Sequence, residues 1–230
     1  MSVFGFSTEP SSGGDWLPIA TYDARAGRFF RIDREQDSAG NWDNGKEDIT
    51  GNFRAVFDFD NIEVGWLNFA AGTAPSLVLV PMGSRIPDRP SDQHKNGVRF
   101  LIKLAPEIGG GRPVREMASS AKAFLGGIEA VYLQYQAARS KHPGMLPVIK
   151  LVKTTPITTG QGQRSSTNYA PVFEITSWVN RPADLQPQPR GGSAQPPQPV
   201  QSNPSNGSSA PATGAQRATA PAAVPVDDFG

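Results

Sequence analysis

Cations and aromatic rings stand together on the stretches of this chain that read as extended. Arg99 and Lys103 fall at even spacing in "GVRFLIKL", so they share one face of a strand. Lys150 and Lys153 lie in "PVIKLVKTT", Arg164 in the polar finger "PITTGQGQRSSTNY", and Tyr169 at the base of that finger. "RFFR" puts Phe29 and Arg31 on one side of another strand, and Arg54 lies in the alternating run "NFRAVFDFD". Such a mixture can hold a single nucleic-acid strand. Cations follow the phosphates, while flat rings offer stacking surfaces worth about 1–3 kcal/mol per base, whatever the base. The plainer reading is that Phe100, Phe124, Phe173, Trp66 and Trp178 fill a core, and that outward lysines keep the protein soluble and discourage edge pairing.

Groups suited to catalysis are sparse. His94 and His142 both sit in Pro-containing loops without a sequence-adjacent Asp or Ser partner, and read as exposed loop residues. "GGGR" and "TGQGQR" are glycine-rich, but neither continues as the Gly-Lys-Ser/Thr of a phosphate-cradling loop. Asp58 and Asp60 share a strand face and could hold Mg²⁺ as a nuclease pair, yet no third ligand is indicated. With no cysteine in the chain, disulfides, thiolate chemistry and Cys-ligated zinc are excluded. The expectation is a protein that is not an enzyme and needs no metal or cofactor.

The charge is unevenly spread. Residues 1–63 carry twelve acids against six bases, a balance of −6, and residues 64–181 carry fourteen bases against six acids, a balance of +8. A basic block inside a chain of net charge +1 suggests one face made for an anion. "MSVFGFSTEP" lacks the basic and apolar regions of a leader, and no apolar run is long enough to span a membrane. The expected setting is therefore soluble and cytoplasmic, with no membrane partner.

The elements that must position these residues can be read from periodicity. Residues 1–14 read as a loose arm. "WLPIATYDA" and "GRFFRID" predict two strands around a turn at Gly27, followed by a long polar loop, "DREQDSAGNWDNGKED". In "NFRAVFDFD", Phe53, Ala55, Phe57 and Phe59 alternate with Arg54, Asp58 and Asp60, and "IEVGWLNFA" is the natural hairpin partner. "SLVLVPM" reads as a strand buried on both sides or at a closure point. One helix is predicted over about 114–139 from the stripe Met117, Ala121, Phe124, Ile128, Val131 and Tyr135, with Gly126–Gly127 marking a close packing contact. Two last strands flank the finger. The predicted fold is mainly β: an OB-like small antiparallel barrel over residues 15–181 with one inserted helix. An open α+β sandwich is the alternative.

From Pro182 onward, ten Pro, six Gln, five Gly and five Ser in forty-nine residues leave too little apolar surface to offset chain entropy. That tail, 182–230, predicts disorder, and it ends in "VDDFG". Asp227 and Asp228 would engage a basic rim and Phe229 an apolar hollow on a partner protein.

In layout, the chain resembles the single-stranded DNA-binding proteins of bacteria and phages, which join an oligonucleotide-binding barrel to a Pro/Gln/Gly-rich linker with an acidic, phenylalanine-bearing tip. It looks more like a phage-encoded form, which would place it in the cytoplasm of a bacterial host. The resemblance implies sequence-independent coating of single-stranded DNA during replication, recombination or repair, with the tip recruiting replication or repair proteins. Two Asp and a following Gly230 depart from the family's more acidic, Phe-terminated tip. A virion structural or protein-interaction module with a tether tail is the second reading, and association with further copies of the chain is left open.

Overall fold

The computed structural model describes residues 17–36, 42–70, 75–159 and 165–186. The arm read at 1–14, Arg164, and the tip residues Asp227, Asp228 and Phe229 lie outside them.

β1 (Ile19–Asp23) and β2 (Arg28–Gln36) form the antiparallel hairpin expected around Gly27. That glycine holds φ at 67°, and a Cβ there would press on Tyr169 at 3.0 Å, so the turn excludes a larger residue on two counts. The polar stretch that follows is not a loop but a second hairpin: β2 continues to Gln36 and pairs with β3 (Trp42–Asp48). Little in its composition favours a strand. Arg31 faces and pairs with Glu47, and Arg28 bonds Asp48, so two ion pairs tie β3 to β2 at the end nearest the core.

β4 (Arg54–Phe57) buries Ala55 and Phe57, and Phe59 reaches the same core from a 3-10 turn. β5 (Glu63–Asn68) does not return along β4. It pairs with β6 (Ser76–Pro81) on one side and with the first half of β7 (Lys95–Leu104) on the other. The second half of β7 pairs with β4, so one long strand carries both neighbours in turn.

The predicted helix begins late. After the short α1 (Pro106–Gly109), residues 114–119 form β8 (Val114–Ser119), and α2 covers only Lys122–Ala138. The step from Met117 to Ala121 fits a helix. The alternation of buried Arg115 and Met117 with half-exposed Val114 and Glu116 fits a strand, and β7 offers the edge that decides it. β9 (Met145–Thr159) and β10 (Ser166–Asn180) complete the sheet as a long antiparallel hairpin.

The antiparallel OB-like barrel is not what these strands build. Their order is β10-β9-β4-β7-β8-β1-β2-β3, with β5 and β6 branching from β7, and the pairing of β1 with β8 is parallel. The sheet is mixed and open. It curls far enough for the Tyr169 amide to reach the Ala24 carbonyl at 2.7 Å and for the Tyr22 hydroxyl to donate to the Tyr169 carbonyl at 2.8 Å, but no ladder closes it. α2 and the concave face enclose a core of interlocked rings in which Phe29 stacks on Phe53 at 4.1 Å and meets Phe124 and Phe173. Helix and sheet approach closely because Gly127 lies against Pro171, where a Cβ would come within 2.4 Å of a carbonyl oxygen.

Packed chain continues past Arg181, the boundary suggested by composition. Leu185 is fully buried against Leu101 and Leu146, and Asp184 accepts two hydrogen bonds from Lys103 at 2.8 Å.

Candidate nucleic-acid surface

Several residues read as ligand-facing are used up by the fold. Phe29 is 0% exposed at the centre of the core, where no base can reach it. Arg31 lies at the sheet margin between Asp33 and Glu47 and donates to the Ile108 carbonyl at 3.1 Å. Beside it Arg115, absent from the expected set, is entirely buried. It donates to the Ile32 and Gly109 carbonyls and pairs with Asp33, and burial pushes its guanidinium pKa down despite that carboxylate. Arg99 is clamped by Glu63 at 2.5 Å and Glu116 at 2.8 Å. Burial works against its charge, but the two carboxylates outweigh burial and raise its pKa. Lys103 is held by Asp184.

Three expected residues come together. Arg54 and Lys150 are directly opposite each other on β4 and β9, so their side chains leave the same, convex face. Lys153 joins them because of an irregularity. Phe173 faces Leu151 and Val172 faces Lys153, so Val152 is an extra residue, a β-bulge. Were Val152 paired in ordinary alternation instead, residues 150 and 153 would point to opposite faces. With it, both lie on the side of Glu174 and Val172. Lys150 and Lys153 are exposed and form no ion pair among the described residues, whereas Arg54 bonds Glu107 at 2.9 Å. Exposed Val152, Ile157 and Val172 line the same hairpin. Glu174, opposite Lys150, is the one acid within this row.

Tyr169 is placed differently. It alternates with Val172 and Ala170 onto the other face of the hairpin, half-buried, with its side chain against Gly27. The three cations therefore have no ring beside them on β9 or β10, where Phe173 and Trp178 pack inward. Trp66, expected in the core, is half-exposed and donates to the Pro87 carbonyl at 2.8 Å, with Arg89 over its ring. His94 is not an exposed loop residue: it is 7% exposed between Ser91 and Ser76.

The carboxylates considered for a metal are otherwise engaged. Asp58 is fully buried, bonded by Arg181 and by Asn61, and Asp60 accepts from Arg181 and Tyr135. Among the described residues, no group of three or more His, Asp or Glu could hold a metal ion, and no helix is long and apolar enough to cross a membrane.

No protein-family model matches the chain, and no curated protein or solved structure matches it. The resemblance to single-stranded DNA-binding proteins of the OB-fold type fails on architecture, since an open mixed sheet stands where that family has a closed barrel.

Proposed function

We propose that the protein is a non-catalytic binder of single-stranded DNA, largely indifferent to sequence, that holds the strand along the convex face of β4, β9 and β10. The observation carrying this reading is the alignment of Arg54, Lys150 and Lys153 on one face of a long hairpin beside exposed Val152, Val172 and Ile157. Cations in a row match a phosphate backbone, and aliphatic side chains between them tolerate any base. Recruitment of replication, recombination or repair proteins by Asp227, Asp228 and Phe229 belongs to the same proposal.

The deciding experiment is titration of fluorescent oligo-dT in rising salt. Binding with a negative log–log salt slope is expected, and Lys150→Glu with Lys153→Glu should weaken it and shallow the slope by roughly one per lost phosphate contact. Flat anisotropy in dilute buffer overturns the proposal in favour of a structural or protein-interaction module. Loss of full-length oligonucleotide on adding Mg²⁺ would overturn its non-catalytic part.

A further inference from the structure

The sheet ends on three strands, and they are not equally guarded. β3 carries Lys46, Glu47 and Asp48 along its length, while β10 carries Glu174 and Pro171 and is crossed by the Tyr169–Ala24 hydrogen bond. Charges, prolines and covering contacts are the ordinary means by which an edge avoids pairing with another chain. Among the described residues, β6 has none of them between its ends. Its residues Leu77, Val78, Leu79 and Val80 are half-exposed, it pairs only with β5 among the described residues, and its prolines sit at its borders, Pro75 and Pro81. From Val64 to Ser84 the chain holds no charged residue.

We infer that the free edge of β6 is a self-association surface, on which the β6 of a second copy pairs antiparallel about a two-fold axis. The absence of charge selects this occupant. A two-fold axis normal to the sheet sets the central residue opposite its own copy, Val78 on Val78 or Leu79 on Leu79, so a charge there would meet its own kind, whereas the uncharged run Leu77 to Val80 pairs with itself without conflict. The same neutrality gives a nucleic-acid backbone or a charged peptide nothing to grip. A strand pair alone falls short of the roughly 800 Å² that each partner buries in a stable interface. Exposed Phe69 follows the β5 end that faces Ser76, and exposed Met82 directly follows Pro81, so apolar surface continues at both ends of the strand.

The test uses the full chain without nucleic acid. Light scattering after size exclusion should give twice the chain mass, and Leu79→Lys should give the single mass with an unchanged far-ultraviolet circular dichroism spectrum. Because the chain has no cysteine, one can be placed at will. Paired antiparallel strands bring opposing Cα atoms to about 4.5–5.5 Å, within disulfide reach. Mild oxidation should therefore cross-link Val78→Cys or Leu79→Cys into a dimer, but not Leu133→Cys on the exposed face of α2. A wild-type chain that stays monomeric at its highest soluble concentration overturns the inference. So does a dimer that survives Leu79→Lys and forms no cross-link at 78 or 79.

Discussion

Arg181 grips Asp58 with both ends of its guanidinium, Nη1 to Oδ2 at 2.7 Å and Nη2 to Oδ1 at 2.8 Å. The carboxylate is fully buried, while the guanidinium keeps about a quarter of its exposure and also reaches Asp60 at 3.1 Å. This fork ties the end of β10 to the turn between β4 and β5. Removing one member of a buried pair leaves the other charge uncompensated. Arg181→Met should therefore cost about 3 kcal/mol by urea unfolding, and adding Asp58→Leu should return part of that loss. A single variant as stable as the parent would mean that Asp58 has another source of compensation.

Two adjacent glycines of α2 should respond oppositely to one methyl group. Gly126 is exposed with open space around it, so Gly126→Ala should stabilise the protein by about 1 kcal/mol through helix propensity alone. At Gly127 the same methyl meets the Pro171 carbonyl at 2.4 Å and must push helix from sheet. Gly127→Ala should lower the thermal midpoint, despite the same gain in propensity. Melting both variants side by side checks the contact directly.

Alkaline stability should fall in a defined window. Burial, aided by the neighbouring charge of Asp23, pushes the Tyr22 phenol up to about 12, and burial with the Asp60 hydrogen bond raises Tyr135 as well. The folded state holds these protons more tightly than the unfolded chain, whose phenols titrate near 10. The stabilisation is complete below pH 10 and is lost as pH rises toward 12. Tyr22→Phe should flatten this dependence, and at neutral pH should cost about 1 kcal/mol for the lost bond to the Tyr169 carbonyl. Unfolding free energies measured from pH 8 to 12 test both statements.

Charge changes on the convex face should separate binding from folding. Glu174 opposes Lys150 directly, so Glu174→Gln should tighten oligo-dT binding severalfold without altering the fold. Arg99→Glu should instead unfold the protein, because Glu63 and Glu116 would then face a third carboxylate. Equal loss of oligonucleotide affinity in a folded Arg99 variant would show that the working cations lie elsewhere.

The strand β7 and the two hairpins at β1–β2 and β9–β10 were legible because buried and exposed residues alternate there, or because a glycine marks the turn. The β2–β3 hairpin was not, since its residues are polar and the ion pairs that tie it, Arg31 with Glu47 and Arg28 with Asp48, are announced by no local pattern. Openness of the sheet was equally hidden: it depends on β1 lying parallel to β8, a contact between segments nearly a hundred residues apart. At the candidate site, residue type separated cations from core but could not reveal which cations are already spoken for. Arg99 and Lys103 look alike in "GVRFLIKL", yet Glu116 and Asp184, which neutralise them, lie outside that strand and share no local pattern with it. Leu185 reads as tail because the segment around it is rich in proline and glutamine. One leucine with a hollow to enter was enough to fasten that segment.

Val152 carries a consequence for how this surface can change. Because Val152 is the residue without a partner across the ladder, deleting it would leave Lys153 opposite Val172 and on the side of Lys150. A lineage that instead kept Val152 and drew it into the ladder opposite Val172 would turn Lys153 to the inner side and shift every pair beyond it by one. Which position goes unpaired, more than which side chain stands there, keeps the two lysines together.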